Sequence, residues 1–292
     1  MTGIPFLRED DLSPGEAREV VPGVRRLLCG NPGPFTFRGT NTWIIGAGTV
    51  AVLDPGPADP RHTAAILRAT AGERIARILV SHTHRDHSPG AAALRAASGA
   101  PTAGFGPHAT PPGEGDEGGD HDFHPDETLA DGAVVKGDGW RLRALHTPGH
   151  CANHLCFALE GTGVLFSADH VMSWSTSIVS PPDGDMADYM ASLARVAGRD
   201  DRLLLPGHGP PLPEPAPFLA ALLAHRRERE ARVLEALRGA GTATAAALVP
   251  AAYGPALDPR LAPAAARSLL AHLLKLAREG AVRREGDSFV AT

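Results

Sequence analysis

Between positions 81 and 87 the chain reads Ser-His-Thr-His-Arg-Asp-His, which places His82, His84, Asp86 and His87 within six residues. Imidazole and carboxylate are the donors that zinc and related divalent cations take, so the chemistry this cluster could do is metal-assisted hydrolysis. A lone histidine is usually an ordinary core or surface residue, but four ligand-type groups at a strand end are not explained that way. Residues at i and i+2 of an extended chain point the same way. His82 and His84 can therefore grip one ion, while the turn that follows swings Asp86 and His87 to another. Zinc takes about four ligands, and three more candidates each close a strand: His150 in His-Thr-Pro-Gly-His, Asp169 in Ser-Ala-Asp-His and His208 in Pro-Gly-His-Gly. Seven ligands suit two ions.

The elements that must carry these residues can be read from hydrophobic spacing. Short β-rich runs at 41–46 and 50–54 predict a hairpin, and 60–71 has near-helical apolar spacing. A continuous apolar run at 76–80 predicts a buried strand delivering the first cluster. A helix follows over 90–97, then a long Gly-, Asp- and His-rich loop from 104 to 127. Strands are expected at 140–145, 154–159, 163–167 and 202–205, with an amphipathic helix over 185–196. Strands that follow one another, mixed with strands joined by helices, point to sheets covered by helices. The proline-dense stretch 206–217 reads as a connector, which divides the chain into a catalytic domain, 1–215, and a smaller domain, 216–292. Helical patterns over 218–238, 243–249 and 264–279, then a strand pair over 282–290, give the order of a winged helix, a module that can place a helix in a DNA groove.

Composition narrows the class. At 292 residues and 43% hydrophobic the chain can bury a full core and is no disordered protein. Three cysteines make no disulfide framework. The acidic start has no export signal, and no apolar run reaches the roughly 18 residues of a membrane span, so a soluble, cytoplasmic protein is expected. The net charge of −5 argues against a main role in wrapping duplex DNA, although from Arg226 onward eleven basic residues face seven acidic ones.

The His-x-His-x-Asp-His run, then Thr-Pro-Gly-His, then Asp169 after Leu-Phe-Ser, then Pro-Gly-His-Gly, resemble the motifs of the metallo-β-lactamase superfamily in their usual order. The resemblance implies an α/β fold, the αββα metallo-β-lactamase sandwich with a C-terminal winged-helix domain, and a metal pair where the two sheets meet. It implies that His82, His84 and His150 hold one zinc, that Asp86, His87 and His208 hold the other, and that Asp169 bridges them; iron and manganese accept the same donors. Asn31-Pro-Gly-Pro followed by Gly39-Thr-Asn-Thr, together with the tail, extends the resemblance to the winged-helix subgroup, which includes a mitochondrial endoribonuclease acting on single-stranded RNA. Ala168 departs from the glycine frequent before the bridging Asp, and Cys151 from the Thr or Ser usual after the histidine; Cys151 is read as packing. A zinc pair would lower the pKa of a bridging water so that hydroxide attacks, with Asp86 orienting it. His154 is the second catalytic candidate, either donating to a developing oxyanion or, weighted more heavily, steadying a ligand.

Other polar residues get plainer readings: His146 and His170 as structural, Asn41 as a turn cap, and His108, His121 and His124 with Asp116, Asp120 and Asp122 as a lid or solvated loop. His225, Arg226, Arg227 and Arg229 are read as a solvated helix face, with contact to a phosphate-bearing substrate as the weaker alternative. The expected function is a binuclear zinc hydrolase cleaving single-stranded RNA. The alternatives are a thioester or ester hydrolase resembling glyoxalase II, and a winged-helix nucleic-acid regulator reading DNA through Arg283 and Arg284. The leucines at 269, 270, 273, 274 and 276 also suggest a surface covered either by the catalytic domain or by another subunit, the latter giving a homodimer.

Overall fold

The structure is a computed structural model that describes residues 3–113, 118–254 and 257–292. Seven strands form the first sheet in chain order: β1 Ala17–Val21, β2 Val24–Leu28, β3 Asn41–Ile45, β4 Thr49–Leu53, β5 Arg74–Leu79, β6 Thr102–Gly104 and β7 Glu127–Thr128. β1 to β4 pair antiparallel, and β4 to β7 pair parallel. The second sheet runs β8 Val134–Gly137, β9 Trp140–His146, β10 Leu155–Leu159, β11 Val164–Ala168, β12 Leu203–Pro206 and β13 Leu212–Pro213, antiparallel except at β11 and β12. Helices α1 Pro60–Ala69, α2 Gly90–Ser98 and α3 Met186–Ala197 provide the crossovers.

Parallel connections put helices on sheet faces, so strands buried on both sides read as continuous apolar runs. That accounts for Asn-Thr-Trp-Ile-Ile in β3 and Val-Leu-Phe-Ser-Ala in β11, every residue of which is buried. Side chains alternate. Trp43, Leu53 and Leu79 point inward to meet Leu142, Phe157, Phe166 and Leu205 of the second sheet. Ile44, Val52 and Ile78 point outward onto Ile66 of α1 and Leu94 of α2. On the far side Leu165 and Leu204 meet Tyr189 and Leu193 of α3 and Phe218 and Leu222 of the next helix, α4 Ala216–Ala240. The layers are helix, sheet, sheet, helix, as expected. α1 and α3 each begin at an aspartate, Asp59 and Asp185, whose side chain accepts from backbone N–H groups of the first turn.

Beyond α4 come β14 Thr242–Thr244, α5 Ala245–Tyr253, α6 Ala262–Arg278 and the hairpin β15 Val282–Glu285 with β16 Ser288–Ala291. β14 pairs with β16, so the wing has three strands where spacing gave two. Leu237, Leu248, Leu269, Leu273 and Phe289 fill its core. Three of the five leucines that suggested a covered surface, Leu269, Leu273 and Leu276, lie inside it. Among the described residues no helix is long and apolar enough to cross a membrane.

Spacing did not reveal β1, β2, β8 or the short strands β6, β7 and β13. β2 (Val-Arg-Arg-Leu-Leu) breaks apolar alternation with Arg26, which is buried because Asp10 pairs with its guanidinium at 2.6 Å. β1 is an exposed edge.

Candidate metal centre

The loops that leave β4, β5, β9, β11 and β12 open at one edge of the sandwich, and each carries a candidate ligand or its support. His82 Nε2 and His150 Nε2 come within 3.0 and 3.1 Å of His84 Nδ1. Beside them His208 Nε2 lies 3.1 Å from Asp86 Oδ2 and 3.3 Å from His87 Nε2. Asp169 stands between the groups: Oδ1 is 3.5 Å from His87 Nε2, and Oδ2 is 3.4 Å from His208 Nε2 and 3.7 Å from His150 Nε2. All seven candidate ligands of the sequence are thus brought together. Donor atoms of His82, His84 and His150, and of Asp86, His87 and His208, lie close enough for each trio to hold an ion.

The far nitrogens are fixed as well. The carbonyls of Ile178 and Gly39 can only accept, so His150 donates through Nδ1 at 2.6 Å and His208 through Nδ1 at 3.2 Å, leaving each Nε2 lone pair facing the cluster. Asp54 does the same for the first loop: it accepts from the Ser81 N–H and hydroxyl, both at 2.7 Å, and contacts His87 Nδ1 at 3.0 Å. Ser81 Oγ, its proton committed to Asp54, accepts from His82 Nδ1. Asp54 and Ser81 escaped sequence reading; the only signal was an Asp closing an apolar strand before Pro-Gly. Asn41 does more than cap a turn. It donates to the Pro206 and Gly209 carbonyls at 2.9 Å and so pins the loop that presents His208.

The electrostatics fit divalent cations. Burial, reinforced by neighbouring imidazoles, holds His82 well below its ordinary pKa and His84 at about 3, so both are neutral donors. Burial would raise Asp86 and Asp169, but His87 and His208 overcome it and keep both ionised. Reciprocally, burial would lower His208, yet Asp169 and Asp86 lift it to about 9, and His87 rises well above its usual value by the same cause. One buried and one partly buried carboxylate, Asp169 and Asp86, thus demand positive charge, which cations among seven N and O donors would supply while leaving the imidazoles neutral.

Ala168, just before Asp169, has φ +43°. This left-handed backbone suits glycine, since alanine bears a steric penalty of about 1–2 kcal/mol there. Ala168→Gly, after the greater entropy of glycine in the unfolded chain is subtracted, should stabilise by about 0.5–1 kcal/mol. Urea denaturation would read this as a higher midpoint at unchanged slope.

The other named residues are placed as follows. His154 is wholly buried behind His82, ring centroids 5.0 Å apart, with Nδ1 against Thr147 Oγ1 at 2.9 Å; burial with neighbouring imidazoles holds its pKa well down. His170 is also enclosed, beside Tyr189. His146 stacks on Phe105 at 4.0 Å. Cys151 is buried, its thiol donating to Asn153 Oδ1, and burial raises its pKa far above the usual range. His108 meets Thr83 Oγ1 at 2.8 Å, Asp120 accepts from Ser88 Oγ at 2.5 Å, and the Asp120 carboxylate also accepts from the Asp122 N–H. His121 packs edge-on against His108, while His124 contacts the Asp122 carbonyl at 3.2 Å. Asp116 lies outside the described residues. Arg226 is not a solvated residue: it is buried, donating to the Ser177 carbonyl. Arg229 donates to the Ala252 carbonyl, inside the tail, and burial lowers His225 to about 4.

A cavity of about 370 Å³ opens over the cluster. Its polar floor is His84, Asp86, His150, Asp169 and His208, and its wall includes Phe35, Met172, Ile178 and Ala264, with Arg85, His108 and Arg267 at its edge. The wall was invisible in sequence because its residues come from three distant segments.

Residues 35–208 match the metallo-beta-lactamase superfamily. The chain belongs to that superfamily. Residues 244–290 match the beta-lactamase associated winged helix domain, so the expected fold holds in both parts, and the protein is a metal-dependent hydrolase of this fold. Among curated proteins it is similar to an atrochrysone carboxyl ACP thioesterase of Aspergillus novofumigatus, 30% identical over 283 residues, covering 90% of this chain and 81% of the relative. It is also similar to an atrochrysone carboxyl ACP thioesterase of Passalora fulva, 32% identical over 280 residues, covering 91% and 79%. Among solved structures a beta-lactamase domain protein from Burkholderia ambifaria superposes with a TM-score of 0.80 at 25% identity, covering 99% of this chain and 97% of that one.

Proposed function

We propose that this hydrolase cleaves a thioester whose acyl part lies against Phe35, Met172, Ile178 and Ala264. The observation that carries this reading is the apolar wall facing the ligand cluster across one cavity, a surface that suits an acyl chain. The thioesterase relatives support the same choice over single-stranded RNA. So does the pairing of the tail's charges: Arg232 with Glu228, Arg260 with Asp258, Arg278 with Asp185, Arg283 with Glu285, and Lys275 with Glu230 and Glu279. Charges neutralised at home contribute little to a phosphate-binding surface.

In this reading His82, His84 and His150 hold one metal ion, Asp86, His87 and His208 the other, and Asp169 both, with zinc as the first choice and iron or manganese suited to the same donors. Such a pair supplies Lewis acidity toward the thioester carbonyl and acidifies water. The chain's own groups do the rest. Asp86 is ionised and 28% exposed, so its carboxylate can take a proton from the attacking water. The water oxygen joins the acyl carbon, the carbon–sulfur bond breaks, and the proton held by Asp86 passes to the departing sulfur, which leaves as the thiol. The apolar wall excludes bulk water and strengthens the electrostatics of the floor. His154, absent from the cavity lining, steadies the ligands from behind and does not touch substrate. Residues 1–215 form the catalytic domain and 216–292 the winged-helix domain.

The test is thiol release by the zinc-loaded protein from a series of acyl thioesters of increasing chain length, beside a fluorogenic single-stranded RNA. His84→Ala with Asp86→Ala is the blank. Thioester cleavage that rises with acyl length and vanishes in the double variant is expected. RNA cleavage with no thiol release would overturn the assignment.

A further inference from the structure

One surface segment, residues 177–185, touches the metal centre on one side and the C-terminal part of the chain on the other. Toward the centre, the Ile178 carbonyl accepts the His150 Nδ1 proton. The Asp185 N–H donates to the Gly149 carbonyl at 2.9 Å, and the Asp183 carboxylate accepts from the Ala152 N–H at 3.2 Å. The loop that presents His150 is thus strapped at the residue before the ligand, at the ligand and two residues after it. Toward the tail, Arg226 of α4 donates to the Ser177 carbonyl, next in the chain to the one that orients His150. Its guanidinium lies 4.8 Å over the Tyr189 ring. From α6, Arg267 donates to Ser180 Oγ at 2.5 Å and to the Pro181 carbonyl at 2.7 Å, and Arg278 pairs with Asp185.

Arg226 is 4% exposed, and a buried guanidinium is costly unless its bonds are needed. Buried arginine is suited to this task because its planar fork fixes direction as well as charge. A carbonyl that accepts from a ligating histidine sets which ring nitrogen is free and where it points. We propose that the C-terminal part of the chain is a positioning clamp for His150, with Arg226 and Arg267 as its two jaws on the 177–185 segment. The proposal rests on His150 being a ligand. It gives the winged-helix part a structural task at the metal centre that requires no nucleic acid. Because Ile178 and Ser180 of the segment and Ala264 and Arg267 of α6 also line the cavity, the same clamp fixes the shape of its wall.

The experiment loads the full-length protein with two equivalents of cobalt(II) and follows metal loss to a competing chelator together with the visible spectrum of the bound cobalt. Arg226→Met and Arg267→Met should each weaken retention of one of the two ions by about tenfold, the low end of the range for groups that orient a ligand, with a shifted band for that ion. Arg226→Lys should recover only part of the loss, since a point charge cannot replace the fork. Arg229→Met, which removes the Ala252 contact and the stacking on Tyr253 within the tail, should lower the melting temperature and leave both ions in place. If Arg226→Met does not fold, Arg267→Met decides alone. Wild-type retention in the folded jaw variants, or an equal loss in Arg229→Met, would overturn the clamp. His150→Ala separates the two levels: if it retains both ions, His150 is no ligand and the underlying reading fails, whereas loss there without loss in the jaw variants fails the clamp alone.

Discussion

Asp169→Ala is expected to lower thioester turnover by about 10³-fold or more and to leave the protein with fewer than two tightly held metal ions. Its two oxygens lie 3.4–3.7 Å from the Nε2 atoms of His87, His208 and His150, so this one side chain spans both groups of candidate ligands. It is also enclosed, 6% exposed, where a removed carboxylate is not replaced by solvent at small cost. Truncating one partner of a buried charge network costs about 3–5 kcal/mol, and about 4 kcal/mol in the barrier corresponds to about 10³ in rate. Asp169→Asn separates charge from shape: it keeps the volume and one carbonyl oxygen but cannot hold two cations, and should fall nearly as far. Metal analysis after gel filtration, together with kcat at saturating metal, checks both variants. Two retained ions with more than a tenth of the activity would remove Asp169 from its proposed bridging place.

What the sequence revealed, and what it hid, follows from how far apart the interacting residues stand in the chain. The seven candidate ligands were legible because each sits in a short run whose neighbours are fixed by local geometry: the i, i+2 pair of His82 and His84, and Pro-Gly turns before His150 and His208. The strands with unbroken apolar runs were legible for the same reason. β2 was not, because the burial of Arg26 depends on Asp10, sixteen residues away. Local spacing runs the following helix back over Ala243 and Thr244, because Thr242–Thr244 gains its extended form only by pairing with β16 at the end of the chain.

Charge was the most misleading local signal. A run with Arg226, Arg227 and Arg229 on one helix reads as a basic face, yet the partners of two of them are backbone carbonyls at Ser177 and Ala252, which carry no mark in the sequence. A count of arginines therefore reads the tail as a phosphate-binding face without seeing these partners. The apolar wall of the cavity was hidden for a related reason. Phe35, Met172, Ile178 and Ala264 show no shared periodicity, and Phe35 and Ile178 are exposed, at 61% and 39%. Exposed aromatic and branched residues are unremarkable singly, and they gain meaning only when the fold gathers them beside a polar floor.

Trp43→Ala should cost about 3–5 kcal/mol of stability, the range for truncating a large buried aromatic. Trp43 is 1% exposed, lies at the meeting of the two sheets and sets its ring edge-on to Phe166 of the opposite sheet, centroids 5.8 Å apart. Neighbouring side chains of a sandwich core cannot close a space of that size without moving strands. The indole N–H also donates to the Pro206 carbonyl at 3.3 Å, the same carbonyl that Asn41 holds from the other side. Because Asn41 keeps that carbonyl satisfied, loss of the indole bond is a minor part of the penalty, and cavity formation is the major part. Trp43→Phe tests this division. It fills most of the space, removes the N–H, and should cost only about 1–2 kcal/mol. Thermal unfolding followed by circular dichroism should place the alanine variant about 6–20 °C below the native protein and the phenylalanine variant far closer. Since the loop bearing His208 stays pinned by Asn41, both variants should retain metal at temperatures where they remain folded. A large fall in metal retention with little change in melting temperature would mean that Trp43 acts on the His208 loop through its indole N–H, and not through the core between the sheets.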